Sequence, residues 1–167
     1  DFGKIGMQIC YDANWSDGWD NLKKKGAEIV LFSSAFPGGR MLNYYARKNE
    51  YYIISSTGGD ARVIDISGND LDCTSEFVRY AWATINLEKV NVTTWPTRDS
   101  LPDVFRKYGD RLRIKVWGNT EVITIESRDP QLKVLSVLKE FEIPTYASLL
   151  KNETEVQNKY RPSMIKK

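Results

Sequence analysis

The strongest constraint on the fold is an alternation of short apolar runs with helical patterns in the first third of the chain. Residues 4–9 fit a buried strand, and the continuous apolar run at 29–32 fits a central strand covered on both faces. A third run at 51–55 is rich in aromatic and β-branched residues, which favour strands. Helical patterns at 17–25 and 40–50 separate the runs. The series predicts a β-α-β-α-β unit and therefore an α/β fold.

Local signals also predict where the first helix begins and ends. Asp17 can cap its N-terminus, since an aspartate oxygen accepts from free backbone N–H groups there. Lysines at 23–25 complement the negative end of the helix dipole. Gly26 suits the left-handed conformation that often follows a helix.

Hairpin patterns replace the alternating units in the second half of the chain. A strand pattern at 62–66 enters a turn, and residues 80–87 supply a further strand. A looser stretch at 91–102 marks the end of the main core. Apolar residues alternate at 112–116 and recur at 121–125, after a turn at Gly118-Asn119, which predicts a second hairpin. A helix is then predicted from Asp129-Pro130, with apolar residues at Leu132, Leu135, Leu138 and Phe141.

Composition excludes several classes of function. The 24 basic and 22 acidic residues give a net charge of +2, which provides no electrostatic footprint for nucleic acid or an anionic membrane. The chain has no histidine, so catalysis must use a carboxylate, a lysine or a thiol, and we expect no metal and no cofactor. Its two cysteines are too few for a disulfide framework. We expect a cytoplasmic protein that binds a small neutral molecule.

Cys10 ends the first predicted strand and is the main candidate for chemistry. A cysteine in this place is more often a small apolar core residue than a nucleophile. However, the segment Gly3-Lys4-Ile5-Gly6-Met7-Gln8-Ile9-Cys10-Tyr11-Asp12 resembles the nucleophile region of the nitrilase superfamily, where a G-x-x-I-C-Y-D pattern ends a central strand. The resemblance continues to about residue 90 through Gly26-Ala27-Glu28, Ala46-Arg47-Lys48-Asn49, Val63-Ile64-Asp65-Ile66-Ser67-Gly68 and Ile85-Asn86-Leu87-Glu88.

At two places the sequence departs from the pattern of the superfamily, and both bear on which branch of the superfamily it resembles. Trp15-Ser16-Asp17 stands where many members carry Phe-Pro-Glu, and Lys48 replaces the usual glutamate before Asn49. The resemblance implies a four-layer α-β-β-α sandwich, of which this chain is the C-terminal half. Residues 1–95 would belong to the carbon–nitrogen hydrolase domain. Residues 96–167 would form an extension, a hairpin plus helices, that contacts another subunit of a homo-oligomer.

The resemblance also implies a reaction. Cys10 would attack the carbon of an amide or nitrile and form a thioester or thioimidate that water hydrolyses. The backbone N–H of Tyr11 would bind the oxyanion, and Trp15 and Phe36 would shape the pocket. In this family a catalytic glutamate and lysine precede the cysteine, so we expect both in a missing N-terminal part. Lys4 cannot serve, since six residues of extended strand place it about 20 Å from Cys10.

A thiol without a neighbouring base and cation is mostly protonated at neutral pH, so we expect the chain alone to be inactive. Two other functions stay open. One is a nitrilase-like domain that has lost catalysis and serves as a binding or assembly module. The other is an enzyme that transfers the acyl group from an amide to an amine in place of water.

Overall fold

The computed structural model describes residues 2–118 and 121–161. Contacts divide the chain into two compact units, Asp1–Leu87 and Glu88–Lys167. The first unit contains the candidate site. The sequence-based boundary after residue 95 concerns the extent of the hydrolase domain and stays a prediction. None of the described helices is both long and apolar enough to cross a membrane.

Over residues 2–87 the first unit has one five-stranded sheet. Its first three strands are parallel, and the last two are added as antiparallel neighbours. Helices connect the parallel strands, as the alternating pattern predicts, so the β-α-β-α-β unit and the α/β class are confirmed. In sheet order the strands are β1 (Ile5–Ile9), β2 (Ile29–Ser34), β3 (Tyr52–Thr57), β4 (Arg62–Ile64) and β5 (Asp70–Cys73), and the helices are α1 (Ser16–Lys24) and α2 (Arg40–Asn49).

Both helices pack on the same face of this sheet and form its main core. Trp19 of α1 is completely buried and stacks on Tyr45 of α2, with ring centroids 4.6 Å apart. These rings lie against Val30 and Phe32, the β2 residues that point to this side. One helix layer and one sheet layer, half of the predicted four, are thus present in the first unit.

The opposite face of the sheet is bare along β1. Gly6 and Gln8 are buried beneath the helices, whereas the alternate residues Ile5, Met7 and Ile9 are 51%, 62% and 57% exposed. Farther along the sheet this face is covered by the segment that follows β5, where the Tyr52 hydroxyl donates to the carbonyl of Asn86 at 2.7 Å. Three exposed aliphatic side chains on one face of a single strand are unusual for a sheet that faces water.

In the part of the second unit that the structure describes there are a three-stranded antiparallel sheet and four α-helices. The hairpin predicted from 112–116 and 121–125 is confirmed, although Asn119 of its turn lies outside the described residues. The apolar core includes Val92, Ile123, Ile125, Val137 and Leu138. In sheet order the strands are β6 (Lys89–Thr93), β8 (Val122–Ser127) and β7 (Leu112–Val116), and the helices are α3 (Thr94–Thr97), α4 (Leu101–Tyr108), α5 (Val134–Glu140) and α6 (Tyr146–Tyr160).

Two predictions near the unit boundary, one of a strand and one of a loose stretch, are wrong. Residues 80–87 form no strand, because this segment joins β5 through a side chain, the Asp72 carboxylate accepting from the Trp82 N–H at 2.8 Å. The strand lies instead at β6, which begins at Lys89 and pairs with β8. The stretch at 91–102, predicted to be loose, contains most of β6 and all of α3.

Three helix details also differ from prediction. Helix α1 begins at Ser16, so Asp17 lies in its first turn and does not cap it, whereas Gly26 adopts the predicted left-handed conformation with φ +83°. Helix α5 begins at Val134 rather than at Asp129, whose carboxylate accepts from the Gln131 N–H in a local turn. The three-residue spacing of the leucines does not predict the buried face of the helix correctly. Leu135 is 59% exposed, whereas Val134, Val137 and Leu138 are buried.

Candidate active site

Cys10 lies at the point where β1 ends and the chain turns sharply. It is half-buried and opens a 3₁₀ segment, Cys10–Asn14. Its φ of +47° is left-handed, a conformation that costs a non-glycine residue about 1–2 kcal/mol. Strained backbone of this kind persists only where the surrounding structure imposes it, and it is concentrated at functional sites. The turn therefore directs the thiol away from the strand.

Helix α1 holds the loop that follows Cys10 in place. Ala13 is 4% exposed, and its carbonyl accepts from the indole N–H of the buried Trp19 at 3.3 Å. The Asn14 amide donates to the Tyr11 carbonyl at 2.8 Å, which closes the turn from the other side. These two bonds fix the backbone on both sides of Asp12 and hold Cys10 in its strained conformation.

A cavity of about 160 Å³ opens at the thiol. It lies at the carboxyl ends of the parallel strands, the edge where ligands of α/β proteins bind. Its walls are mostly apolar, with two polar side chains, Asn14 and Ser34, that can orient a ligand. The lining residues are Cys10, Tyr11, Ala13, Asn14, Phe32, Ser34, Phe36, Pro37, Gly38 and Met41.

The structure brings together three of the four residues predicted from the sequence. Cys10, Tyr11 and Phe36 line the cavity, whereas Trp15 does not; its ring packs edge-on against Tyr11 with centroids 5.4 Å apart. Tyr11 is the second residue of the 3₁₀ segment, where an N–H has no acceptor within the helix. This N–H is therefore available for a ligand oxygen next to the thiol.

No charged side chain contributes to the cavity walls among the residues that the structure describes. Lys4 lies at the far end of β1, where its backbone N–H donates to the Glu28 carboxylate at 2.9 Å. Burial raises the pKa of the Tyr45 hydroxyl, which keeps this neighbour of Trp19 neutral. Nor does the described chain contain a group of three or more Cys, Asp or Glu side chains that could hold a metal ion. The described walls of the cavity therefore carry no charged side chain.

Sequence reasoning missed Asn14, Ser34 and Met41. Ser34 could have been found, because it ends β2 beside the end of β1 and a small polar residue after an apolar run marks the ligand-binding edge. Met41 lies in the first turn of α2 and packs against the core of the first unit. No sequence signal indicated that Asn14 would close the turn.

Comparisons with known proteins name one superfamily. No protein-family model and no curated protein matches the chain. Among solved structures, Saccharomyces cerevisiae Nit3, a member of branch 10 of the nitrilase superfamily, matches 43% of this chain at 21% identity with a TM-score of 0.40. A carbon–nitrogen hydrolase from Helicobacter pylori G27 matches 64% at 18% identity, with a TM-score of 0.46. An amidase from Nesterenkonia sp. AN1, with the acetamide moiety of fluoroacetamide covalently added at its active-site cysteine, matches 44% at 19% identity, with a TM-score of 0.38.

These three structures carry the names of the superfamily that the sequence resembles, carbon–nitrogen hydrolases and amidases among them. The matched segments cover 33%, 44% and 34% of their respective chains, so this chain spans less than half the length of each.

Proposed function

We propose that this chain supplies the nucleophile of a carbon–nitrogen hydrolase that cleaves a small amide or nitrile through a covalent bond to Cys10. The observation that carries the proposal is the left-handed conformation of Cys10 at the mouth of a cavity. A cysteine that merely filled the core would need neither a strained backbone nor an approach for a ligand.

With an amide, the Cys10 thiolate forms a bond to the carbonyl carbon, and the carbonyl electron pair moves onto oxygen. The Tyr11 N–H then donates to that oxyanion, an interaction whose loss in other enzymes costs about 3–4 kcal/mol. Collapse of the intermediate breaks the C–N bond, and the amine leaves with a proton from a general acid. Water, deprotonated by a general base, cleaves the thioester and returns the thiol with a free acid.

The general base and the cation are proposed to come from residues that precede residue 1 in a longer protein. The neutral walls of the cavity favour this arrangement, because the described lining contains no group that could deprotonate the thiol. The bare face of β1 favours it as well, since Ile5, Met7 and Ile9 require an apolar cover. A second sheet packed there would complete the four-layer sandwich.

Substrate size follows from the cavity. About 160 Å³ with apolar walls accommodates a small acyl group, with Phe36 at its rim and Trp15 supporting Tyr11. The extension of residues 96–167 is proposed to contact another subunit. Its helix α6 exposes Leu150 and Val156 at 46% and 49%, and it buries only Tyr146 among its described side chains.

The test is intact-protein mass spectrometry of the longest natural form of the protein after incubation with small amides and nitriles. We expect an acyl adduct on Cys10 that is absent in Cys10→Ala. Cys73→Ala is the matched control, because Cys73 is also a free thiol but is exposed on β5. An adduct on Cys73, or turnover that persists in Cys10→Ala, would overturn the mechanism.

Product analysis separates hydrolysis from acyl transfer. A free acid as the product indicates water as the acceptor, and an acylated amine in the presence of added amine indicates transfer. Absence of both products in a protein that contains the upstream glutamate and lysine would indicate a binding module instead.

A further inference from the structure

A second cavity of about 160 Å³ lies in the first unit, and the proposed reaction does not use it. It is formed where the end of β3 meets the segment after β5, and it shares no lining residue with the cavity at Cys10. Unlike that cavity, it is lined by hydrogen-bonding groups and one cation. We call it the Arg79 pocket, and its lining residues are Thr57, Gly58, Gly59, Thr74, Ser75 and Arg79.

Three hydroxyl groups in the Arg79 pocket are held in place by backbone bonds. Each hydroxyl oxygen accepts a hydrogen bond from a backbone N–H at 3.1 Å: Thr57 from Asp60, Thr74 from Ala61, and Ser75 from Val78. In the described residues none of these three hydroxyl groups donates a hydrogen bond. A hydroxyl group that accepts one bond keeps its own hydrogen to donate. The pocket therefore presents three oriented O–H donors to a ligand.

The backbone leaves room for a ligand to approach. A Cβ atom built on Gly59 would meet nothing within 4 Å, so the main chain there is open. At Gly58 the same atom would lie 2.6 Å from the carbonyl oxygen of Ala35, which requires glycine at this position. The N–H of Ser75 donates to the Val78 carbonyl at 2.8 Å, so a closed turn fixes the chain immediately before Arg79.

Arg79 is exposed, and within residues 2–118 and 121–161 its guanidinium group has no hydrogen bond or ion pair. The nearby Arg62 differs, because both of its bonds to the Asp60 carboxylate measure 2.6 Å. This pair neutralises Asp60, the carboxylate next to Gly59. The Arg79 pocket thus holds one uncompensated positive charge beside several donors.

We propose that the Arg79 pocket binds an oxyanion group, a carboxylate or a phosphate, of a small molecule. A guanidinium group matches the planar geometry of such groups with two parallel N–H bonds, and oriented hydroxyls satisfy the remaining oxygen lone pairs. The chemistry of the lining is complementary to an anion and to no neutral apolar ligand.

The anionic group that binds in the Arg79 pocket has two candidate sources. It is either the far end of the molecule that reacts with Cys10 or a separate small molecule. The first source rests on the proposed function. Ser34 of the Cys10 cavity pairs in register with Thr57 of the Arg79 pocket, so the two cavities open along the same edge of the sheet. Because neighbouring strands lie about 4.8 Å apart, the ends of β1 and β3 are about 10 Å apart, a span that one small molecule can bridge.

The first experiment titrates the protein with inorganic phosphate and with acetate, and follows the backbone amide resonances of Gly58 and Gly59 by NMR. We expect saturable shifts for either anion, and affinity at least about tenfold weaker in Arg79→Gln. Arg98→Gln, which removes the same charge from the second unit, should bind as the unmodified protein does. Absence of saturation, or equal weakening in both variants, would overturn the proposal.

The second experiment distinguishes the two sources in a Cys73→Ser background. Cys10 is alkylated with a neutral chloroacetamide and with one that carries a carboxylate about 10 Å from the reactive carbon. Faster reaction of the anionic reagent, abolished by Arg79→Gln and by phosphate, assigns the anion to the Cys10 ligand. Equal rates, with phosphate binding intact, assign it to a separate small anion. Phosphate binding without alkylation of Cys10 in the longest natural form of the protein would leave the anion site of the Arg79 pocket intact and would overturn the proposed hydrolysis.

Discussion

Replacement of Trp19 by alanine tests whether the loop after Cys10 depends on its support by α1. The side chain is fully buried, and an aromatic ring of this size removes about 150–250 Å² from water, which at about 25 cal/mol per Å² corresponds to about 4–6 kcal/mol. Part of this is regained when neighbours relax, so large-to-small changes at such sites cost about 3–5 kcal/mol. Loss of the bond to the Ala13 carbonyl adds about 1 kcal/mol.

We therefore expect Trp19→Ala to lower the free energy of unfolding by about 4–6 kcal/mol, measured by urea denaturation followed by circular dichroism. Trp19→Phe keeps most of the ring but loses the indole donor, and it should cost about 1–3 kcal/mol. The control is Trp82→Ala, since Trp82 is 71% exposed and its loss should change stability by less than about 0.5 kcal/mol. Equal effects of Trp19→Ala and Trp82→Ala would refute this account of the anchored loop.

Three further predictions concern the backbone conformation of Cys10, the ion pairs of Glu126 and the titration of Glu140. Because Cys10 has φ +47°, Cys10→Gly should be more stable than Cys10→Ala by about 1 kcal/mol in urea denaturation, and a more stable alanine variant would contradict the strained turn. Glu126 is 9% exposed between Lys89 and Arg113, each 3.0 Å away, so Glu126→Gln should cost about 3 kcal/mol, whereas the exposed Glu155→Gln should cost almost nothing. Hydrogen bonds from Lys107 and Tyr108 lower the pKa of Glu140 from 4.5, so its stabilising effect is present above this value and is lost as the pH falls through the lowered pKa. The stability difference between the protein and Glu140→Gln should therefore shrink on acidification below pH 4.5, and a difference that stays constant to low pH would exclude the bond.

The sequence allowed the first unit to be predicted because local and long-range signals agree there. Apolar runs at 29–32 and 51–55 lie in β2 and β3, and Gly26 has the left-handed conformation that its position predicted. The placement of Cys10 at the end of β1 followed from the same pattern. Parallel strands separated by helices leave few alternatives for the order of elements, so the pattern determines the topology.

The second unit was harder to predict because its elements depend on tertiary contacts. Strand β6 begins at Lys89 and alternates polar with apolar residues, yet its polar Lys89 and Asn91 are covered within the fold, where Lys89 pairs with Glu126. At the start of α5 the Glu88 carboxylate accepts from the Val134 N–H at 2.9 Å, a contact between residues far apart in the sequence. Neither partner could be inferred from spacing.

The sequence predicted the nucleophile of the candidate site but missed several of the residues that line its cavity. Cys10 and Tyr11 belong to one continuous motif, whereas Ser34 and Met41 reach the cavity only because β2 pairs with β1 and α2 packs over it. The Arg79 pocket had no sequence signal at all, because its residues come from two segments that the hairpin β4–β5 brings together.

The position of β1 has a consequence for handling the protein. In the described sheet β1 is a terminal strand, so its outer row of backbone N–H and C=O groups has no neighbouring strand, and the same residues present aliphatic side chains. An exposed apolar strand of this kind is a template on which further chains can add and grow into fibrils. Dimers or larger species seen at high concentration can therefore arise from strand addition rather than from native assembly.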